Sequence, residues 1–364
     1  MILPDYKNNI KNISASFSKF LGRQDGETLK ELDEELKEDY KNVVFIIFDG
    51  MGVDVLNKIG KNTIMEQNIK KKVTSVFPST TTNATTTMLT NKLVDYHKYL
   101  AWSLYFKNLH RCIDIYTGLD SYTQEPVKEK YLTTDKTPYY AKVQCDRKIC
   151  TIFPSFVSNT YSEENITADT IQDLGKGIEK FCNEEGKKFL YCYCTEPDHI
   201  MHGNGVSSNE AKESIKLIDE TLKHIVENTT NTLIVVTADH GHIDVKGYIN
   251  IFEDNAVMEC LERPLSMESR AVSFKIKAEK EKEFLTAMEK YKDDLILYKA
   301  QYLIDKGVFG NPDAELKDML GDYIGVGTKT FKVVRFFNEK FMFKGHHTAL
   351  TEEEMYVPLI ILKN

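Results

Sequence analysis

The sequence predicts an α/β fold with a mainly parallel central sheet, on two observations. Residues 43–48 and 233–236 are short apolar runs rich in β-branched residues, as expected of strands that are buried on both faces of such a sheet. Residues 188–194, 208–226 and 233–236 follow one another as strand, amphipathic helix and strand, the order of a right-handed parallel unit. In open sheets of this kind, sites form outside the carboxyl ends of the strands.

The N-terminal part of the chain begins with helices and then enters the sheet. Residues 1–40 are polar and helical in pattern, and residues 27–36 place leucines at helical spacing as the buried stripe of a surface helix. Residues 42–48 are the first predicted strand and residues 73–77 the second, and a helix over residues 84–89 follows.

The middle of the chain contains the best-defined helix. A helix over residues 168–182 precedes the strand at residues 188–194. The next helix, over residues 208–226, is expected to begin with a capping box formed by Ser207 and Glu210. Its apolar stripe comprises Ile215, Ile218, Leu222 and Ile225.

The pattern changes after residue 250. Here the sequence predicts a half-buried strand at residues 270–277 and a charged helix at residues 279–291. A short strand and a further helix follow within residues 294–306. We therefore expect a small inserted α+β cap at residues 255–335. The core would comprise residues 1–254 and 336–364 and would end on an apolar strand at residues 356–362.

Aromatic residues cluster after the second predicted strand, at Tyr96, Tyr99, Trp102, Tyr105 and Phe106. The cluster suits either a packed layer or a wall that faces a substrate. Packing in the core is the expectation for most of them. Trp102, which is large and carries a polar N–H, is the one expected to be partly exposed.

Composition narrows the functional class. The net charge of −8, from 47 basic and 55 acidic residues, argues against a stable complex with nucleic acid. Neither a signal peptide nor a membrane span is evident from the pattern. The seven cysteines are irregularly spaced and form no Cys-x-x-Cys zinc site, so we expect reduced thiols and a cytoplasmic protein without membrane contact. The sequence does not predict the oligomeric state.

Carboxylates and imidazoles follow three of the predicted strands. Asp49 ends the first strand, and Asp239 and His240 end the strand at residues 233–236. Asp198 and His202 are four residues apart, so in a helical turn both would face the same way and could bind one metal ion. The alternatives are an ordinary Asp-Gly turn at Asp49 and a plain strand-to-loop exit at Asp239.

Residues 80–87 contain six threonines in eight positions. Threonine favours helix N-termini, where free backbone amides can also bind a phosphate. A threonine hydroxyl there, beside a metal ion that lowers its pKa, is a candidate nucleophile. The alternative is a threonine-rich capping turn.

Taken together, the strand ends offer two sets of oxygen and nitrogen ligands without cysteine, completed by a histidine near the C-terminus. Such sets suit two divalent ions, Zn²⁺ or, as the alternative, Mn²⁺. A pair of ions about 3.5–4 Å apart is the arrangement for in-line displacement at phosphorus.

Five motifs resemble those of the alkaline phosphatase superfamily, and specifically its type I phosphodiesterase/nucleotide pyrophosphatase branch. In order they are Phe48-Asp49-Gly50-Met51-Gly52, Phe77-Pro78-Ser79-Thr80-Thr81-Thr82, Pro197-Asp198-x-x-x-His202, Thr237-Ala238-Asp239-His240-Gly241 and Gly345-His346-His347. The resemblance covers the chain from about residue 42 to its end. It implies a three-layer α/β/α sandwich with a mainly parallel central sheet and a small inserted α+β cap.

The resemblance also implies roles for individual residues. One metal ion would be held by Asp49, Thr81, Asp239 and His240, and the second by Asp198, His202 and His347. Thr81 is the implied nucleophile because the family's nucleophile stands three residues after the motif proline, with Thr80 and Thr82 as alternatives. His347 is preferred to His346 because the family's histidine precedes a leucine by three residues. His242 is expected to lie behind the ligands or at the surface, and His199 to face elsewhere.

The implied reaction is hydrolysis of a small phosphodiester, possibly a nucleotide one, through a phosphothreonine on Thr81. The asparagine that supports the phosphoryl oxygen in nucleotide pyrophosphatases has no clear counterpart near Trp102 and Ser103. Arg270 and Arg335 remain candidates for a phosphate-binding arginine. The alternatives are a phosphomonoesterase or phosphonate hydrolase of the same fold and, from another class, a phosphate-binding protein without activity.

Overall fold

The computed structural model describes residues 1–141, 143–157, 162, 164–336 and 342–364. Its strands, in chain order, are β1 (Asn42–Phe48), β2 (Ile69–Thr74), β3 (Ser103–Phe106), β4 (Arg111–Asp114), β5 (Leu119–Asp120), β6 (Arg147–Phe153), β7 (Glu164–Thr167), β8 (Lys187–Cys194), β9 (Thr232–Thr237), β10 (Ile243–Asp244), β11 (Gly247–Ile249), β12 (Ser266–Glu268), β13 (Ala271–Phe274), β14 (Leu295–Lys299), β15 (Tyr323–Gly327), β16 (Lys332–Val334), β17 (Gly345–His346) and β18 (Tyr356–Lys363).

The helices of the described residues are α1 (Ile10–Phe20), α2 (Lys30–Glu35), α3 (Val53–Ile59), α4 (Ile64–Gln67), α5 (Thr81–Thr90), α6 (Val94–His97), α7 (Ile171–Cys182), α8 (Asp198–Asn204), α9 (Asn209–Asn228), α10 (Asn255–Met258), α11 (Glu281–Met288), α12 (Ala300–Asp305), α13 (Ala314–Leu320) and α14 (Glu352–Met355). Short 3₁₀ turns cover Ile251–Glu253, Ala278–Lys280 and Glu289–Tyr291. Within these parts of the chain, every helix is too short or too polar to cross a bilayer.

The central sheet has the strand order β2-β18-β9-β1-β8-β6-β7. From β9 through β1, β8 and β6 to β7 all pairs are parallel, whereas the C-terminal strand β18 is antiparallel to both of its neighbours. Every residue of β1 and β9 is buried, as expected for strands covered on both faces. The predicted α/β class with a mainly parallel sheet is confirmed.

Aromatic packing holds the N-terminal helix α1 on the sheet. The ring of Phe17 lies 4.6 Å from that of Phe45 in β1 and 5.5 Å from that of Phe189 in β8. The helix begins with a capping box formed by Asn9 and Asn12, and Ile10 and Ile13 complete its buried face. The predicted N-terminal helices are therefore present, and they belong to the core rather than to the surface alone.

Two local predictions are wrong. The second strand covers Ile69–Thr74 rather than residues 73–77, because the chain leaves the sheet before Phe77 to reach helix α5. Helix α9 is capped by Ser208, whose side chain accepts a hydrogen bond from the Ala211 N–H. The expected box of Ser207 and Glu210 does not form because the Ser207 hydroxyl donates to Asp244 instead.

A second sheet, with the order β14-β15-β13-β12-β3-β4-β5, lies outside the central one. Strand β12 joins the two parts through the pairing of Met267 with Ser103. The strands of the predicted insertion, 255–335, thus continue a sheet that residues 103–120 begin. The boundaries of the predicted domains stay a prediction.

A buried ion pair links the second sheet to the C-terminal part of the central sheet. The guanidinium of Arg270 donates from Nε to Glu354 Oε1 at 2.8 Å and from a terminal nitrogen to Oε2 at 3.0 Å, and both side chains are fully buried. It also donates to the carbonyls of Thr328 and Lys332. All three guanidinium nitrogens of Arg270 therefore donate hydrogen bonds within the protein, and the side chain stabilises the contact between the two sheets.

We predict that Arg270→Met will lower the free energy of unfolding by about 3–5 kcal/mol, because it leaves the Glu354 carboxylate buried without its partner. The matched control is Lys329→Met, which removes an exposed partner of the adjacent Glu353 and should cost less than about 1 kcal/mol. Chemical denaturation of both variants measures the difference. Equal losses in the two variants would contradict this role for the buried pair.

Candidate metal centre and substrate cleft

The carboxyl ends of three adjacent strands bring the predicted site together. Strand β1 lies between β8 and β9, with Phe48 paired to Cys194 and Ile47 paired to Thr237. Asp49 and Asp239 follow β1 and β9 directly, and Asp198 begins the short helix α8 after β8. The Asp198 N–H donates to the Asp49 carbonyl at 3.1 Å, so the loops are joined as well as the strands.

The first predicted ligand set forms one compact group. His240 Nε2 lies 3.3 Å from Asp49 Oδ1 and 3.2 Å from Asp239 Oδ2. The Thr81 hydroxyl, on the first residue of helix α5, lies 3.2 Å from His240 Nε2 and 3.4 Å from Asp49 Oδ2. Asp49, Asp239 and His240 are close enough together to share a metal ion.

The second predicted set meets around Asp198. Its Oδ2 lies 3.2 Å from His202 Nε2, one turn along α8, and its Oδ1 lies 3.7 Å from His347 Nε2. The two sets adjoin, since the rings of His240 and His347 stack with centroids 3.7 Å apart and planes 13° apart. All seven predicted residues are thus in one place, and their role as ligands stays a prediction.

The imidazoles are oriented by backbone carbonyls. Nδ1 of His202 lies 2.9 Å from the Gly345 oxygen, that of His240 lies 3.0 Å from the Gly241 oxygen, and that of His347 lies 2.9 Å from the Ser79 oxygen. If each Nδ1 carries the proton and donates it, each Nε2 is left as an acceptor facing the carboxylates. This is the usual arrangement behind a metal-bound histidine.

Glycine allows the loops that carry these residues to pack closely. A Cβ on Gly52 would lie 2.4 Å from the Gly241 Cα, and one on Gly241 would lie 1.9 Å from the Glu353 carbonyl oxygen. The Gly241 N–H also donates to the Glu354 carbonyl at 2.8 Å. The glycines of the two motifs therefore serve this contact between loops.

The site contains more buried negative charge than the described side chains neutralise. Asp49 Oδ1 and Asp239 Oδ2 are buried without a hydrogen-bond partner among the described residues, and Asp198 Oδ1 faces only imidazoles, those of His242 and His347. Buried carboxylates are ordinarily paired or bound to a metal ion, because desolvation of an unpaired charge is costly. The unsatisfied oxygens of this donor set therefore fit divalent cations.

The pKa values of the three carboxylates are shifted in different directions. Burial, together with the charges of Asp239 and Asp198, raises the pKa of Asp49 well above its usual value, and burial raises the pKa of Asp239. Burial opposes ionisation of Asp198 too, but the neighbouring His202 and His242 hold the pKa of that carboxyl well below its usual value. Without a cation, the Asp49 side of the site therefore tends to take up protons.

His242 occupies the first of the two positions expected from the sequence, behind the predicted ligands. It is fully buried, not at the surface, and its Nδ1 lies 3.0 Å from Asp198 Oδ1. Together with Asp198 and His202 it forms a third group that could hold a metal ion. The spacing of His240 and His242, two residues apart after a strand, was the available signal.

Two other expectations change, and His346 can be placed as well. His199 lines the cleft rather than facing elsewhere. Arg270 is held by Glu354 and is not a phosphate-binding arginine, and among the described residues no arginine lines the cleft, Arg335 included. His346, the alternative to His347, points its Nδ1 at its neighbour's carbonyl oxygen, 2.9 Å away.

A cleft of about 1250 Å³ opens over the site. Thr81, Asp49, Asp198, His202 and His347 lie in its lining. The rest of the described lining includes many aromatic side chains, with Trp102, Tyr116, Phe153, Tyr193 and Phe343 among them. Trp102 is 41% exposed, as expected from the sequence, so part of the aromatic cluster does face a substrate space.

The family model for type I phosphodiesterases and nucleotide pyrophosphatases matches residues 43–319. The chain belongs to this family. It is accordingly a phosphoric ester hydrolase, and the matched segment contains all of the predicted ligands except His347. No curated protein was found that matches the chain in sequence.

Solved structures support the same fold. Murine ectonucleotide pyrophosphatase/phosphodiesterase 5 is 16% identical, with a TM-score of 0.64 and 88% of each chain covered. A second structure of the murine protein, an inactive threonine-to-alanine variant in complex with AMP, is 17% identical with a TM-score of 0.64, covering 88% of this chain and 87% of that one. Phosphonoacetate hydrolase from Sinorhizobium meliloti in complex with phosphonoformate is 13% identical, with a TM-score of 0.61 and coverage of 88% and 89%.

We predict that Asp239→Asn lowers the amount of bound metal but raises the melting temperature of the metal-free protein. Asparagine retains the Oδ1 that accepts from the Gly50 and His240 N–H groups but loses one ligand charge, so the bound metal should fall from two equivalents toward one. In chelator-treated protein the variant should melt higher than the wild type, because it removes repulsion from Asp49.

The difference in melting temperature between metal-free Asp239→Asn and the metal-free wild type should be largest at high pH. The raised pKa values of Asp49 and Asp239 mean that the metal-free wild type loses stability as the pH rises through them. Elemental analysis and thermal melting across pH test both statements, with Asp54→Asn, in a surface pair with Lys58, as the control. Unchanged metal content would remove Asp239 from the ligand set.

We predict that His242→Gln weakens metal binding by about 10- to 100-fold, because it removes the side chain that contacts Asp198 from behind. Competition with a chelator measures this without reference to activity. The control is His224→Gln, at an exposed histidine paired with Glu179, which should leave the metal affinity unchanged. An equal affinity in the wild type and His242→Gln would contradict the prediction.

Proposed function

We propose that the protein hydrolyses phosphodiesters at a site for two divalent cations, with Thr81 as the nucleophile. The observation that supports this best is the position of the Thr81 hydroxyl. It lies within 3.2–3.4 Å of His240 and Asp49, and it stands on the first residue of helix α5. A cation held by Asp49 and His240 would therefore be within reach of this hydroxyl and could lower its pKa.

The chain's own side chains would divide the two cations between them. Asp49, Thr81, Asp239 and His240 would hold one, and Asp198, His202 and His347 would hold the other. Oxygen and imidazole donors without sulfur suit Zn²⁺, with Mn²⁺ as the alternative. When bound, these ions would supply the positive charge that lowers the pKa of the Thr81 hydroxyl and stabilises the charge on the phosphoryl oxygens.

The reaction would proceed in two displacements. After loss of its proton to solvent, Thr81 Oγ forms a bond to phosphorus, and the bond from phosphorus to the leaving oxygen breaks. The leaving oxygen takes a proton from water. Water then displaces Thr81 from the phosphothreonine and releases a phosphomonoester. The backbone N–H groups in the first turn of α5 have no acceptor within the helix and would be available to the phosphoryl oxygens.

The charge of the cleft favours a diester over a monoester. A monoester carries one more negative charge, which other phosphatases balance with an arginine or a further cation. In the described lining, Lys136 is the only lysine or arginine, whereas Asp114 and Glu268 add negative charge beyond the predicted ligands. A monoanionic diester is therefore the better electrostatic match.

The murine structural neighbour supports a threonine nucleophile, since its threonine-to-alanine variant is described as inactive and holds AMP. A phosphonate substrate is the second candidate, because phosphonoacetate hydrolase shares the fold.

We predict that Thr81→Ala lowers kcat for bis(p-nitrophenyl) phosphate by about a thousandfold or more and leaves the metal content near that of the wild type, since three ligands remain. Thr81→Ser, which keeps a hydroxyl, should retain measurable turnover. Acid quenching followed by peptide mass spectrometry should find phosphate on residue 81 of the wild type.

The neighbouring hydroxyls provide the controls. Thr80→Ala and Thr82→Ala should keep most of the activity, because neither replaces the hydroxyl that lies between His240 and Asp49. Full activity in Thr81→Ala, or phosphate found on residue 80 or 82, would move the nucleophile. Turnover of phosphonates but of no diester would favour the second candidate.

A further inference from the structure

The segment that carries His347 contains a strained backbone. The next residue, Thr348, has a φ of 107°, in the region that favours glycine, and this conformation is rare for a β-branched residue. Its side chain is fully buried, and its hydroxyl has no hydrogen-bond partner among the described residues. Threonine therefore brings both backbone strain and an unsatisfied hydroxyl to this position. Strain of this kind persists only where neighbouring contacts fix the conformation.

Three hydrogen bonds fix the residues on either side of Thr348. The Ala349 N–H donates to Glu354 Oε1 at 2.9 Å. The Ser79 hydroxyl donates to the Ala349 carbonyl at 2.9 Å, and Nδ1 of His347 lies 2.9 Å from the Ser79 carbonyl oxygen. Ser79 and Thr348 also form an antiparallel bridge. The direction of the His347 imidazole therefore depends on the contacts of Ala349 as well as on its own.

The Glu354 carboxylate is a rigid acceptor for this segment. It is fully buried, and Glu354 does not belong to the described lining of the cleft. Its Oε1 accepts from the Ala349 N–H and from Arg270 Nε, and its Oε2 accepts from a terminal nitrogen of Arg270 and from the Thr351 hydroxyl. The bonds from the guanidinium are charge-assisted and set the orientation of the carboxylate. The carboxylate cannot turn away from Ala349 without breaking them.

The backbone of Glu354 contacts the loop that carries the other stacked histidine. The Gly241 N–H donates to the Glu354 carbonyl at 2.8 Å, and Gly241 directly follows His240. This contact does not involve the side chain, so a substitution of Glu354 leaves its donor and acceptor in place. The side chain of Glu354 thus acts on the loop of His347, whereas its backbone acts on the loop of His240.

We propose that Glu354 is a positioning residue of the metal centre. Its carboxylate stabilises the strained conformation of Thr348, and this conformation directs His347 Nε2 toward Asp198 Oδ1, 3.7 Å away. Without the acceptor, Thr348 relaxes toward negative φ and His347 moves away from the cation that it would share with Asp198 and His202. The inference rests on the proposed function, because it concerns the same cations.

Two double variants separate the acceptor from the ion pair. Arg270→Met with Glu354→Leu is the acceptor-free variant, and Arg270→Met with Glu354→Gln is the acceptor-retaining variant, which keeps an oxygen for the Ala349 N–H. Both remove the two buried charges together, so neither leaves one unpaired, and both should fold. The probe is Co²⁺, which is titrated into metal-free protein in competition with a chelator and followed by its visible absorption.

The acceptor-free variant should bind one of two Co²⁺ equivalents about tenfold or more weakly than the wild type, whereas the acceptor-retaining variant should bind both as the wild type does. The weakened equivalent should be the one that His347→Ala loses, with the same change in the Co²⁺ spectrum. The control is Val43→Ala, a fully buried position at the amino end of β1, opposite to the site. It lowers stability and should leave both affinities unchanged.

A double-mutant cycle tests the part played by strain. Thr348→Gly permits the same φ without the strain, so loss of the acceptor should matter less in that background. There the change from the acceptor-retaining to the acceptor-free variant should weaken Co²⁺ binding by less than about threefold. An equal effect in both backgrounds would overturn the inference.

The remaining outcomes distinguish failure of the inference from failure of the proposed function. Equal affinities in the two double variants, or an equal loss in Val43→Ala, would overturn the inference and leave the metal centre. Two bound Co²⁺ ions without cleavage of any diester would overturn the proposed reaction and leave the positioning role. A wild type that binds no Co²⁺ would overturn both.

A second variant provides the test if the acceptor-free protein does not fold. Ser79→Ala removes the hydrogen bond to the carbonyl of the same residue, Ala349, without leaving a buried charge. Weaker binding of the equivalent that His347→Ala loses would support the inference, because the same strained segment is released from its other side. Unchanged binding of both equivalents would overturn it.

Discussion

The three carboxylates of Asp49, Asp198 and Asp239 are the constraint on which the site and its surroundings depend. All three are buried, Asp49 and Asp239 each keep an oxygen without a described hydrogen-bond partner, and an unpaired buried charge costs several kcal/mol. The fold brings these like charges together and directs the histidine Nε2 atoms at them. That arrangement is unfavourable for an empty protein and favourable for one that holds divalent cations. In this account, stability, metal binding and catalysis share one electrostatic origin.

The strand order of the central sheet brings these three carboxylates together. Strands β8, β1 and β9 are adjacent and parallel, so each delivers its carboxylate to the same edge, although the three residues are far apart in sequence. The second sheet then supplies the wall of the cleft, and the buried pair of Arg270 and Glu354 fixes that sheet to the segment that leads into β18. The predicted ligands therefore follow strands of the central sheet, whereas part of the cleft lining comes from the second sheet.

Sequence could predict the elements whose signal is local. The sequence pattern predicted the apolar strands, the amphipathic helix α9 and the polar residues at the strand ends. The order of the motifs assigned all seven predicted ligands to one site. The sequence could not predict that β3–β5 and β12–β15 share a sheet, because strand pairing between distant segments leaves no periodic signal. The choice between the two expected positions of His242 and the pairing of Arg270 with Glu354 could not be predicted for the same reason. Both are contacts between loops that only the folded chain brings together.

The central claim is that this edge of the sheet is a two-metal phosphodiesterase centre. The most direct test measures metal content by elemental analysis and the hydrolysis of bis(p-nitrophenyl) phosphate and p-nitrophenyl phosphate in one preparation. The account predicts two equivalents of zinc or manganese per chain, with faster cleavage of the diester that is lost on chelation and restored by the metal. A chain that cleaves the diester equally well after complete removal of metal, or that binds no metal at all, would contradict it.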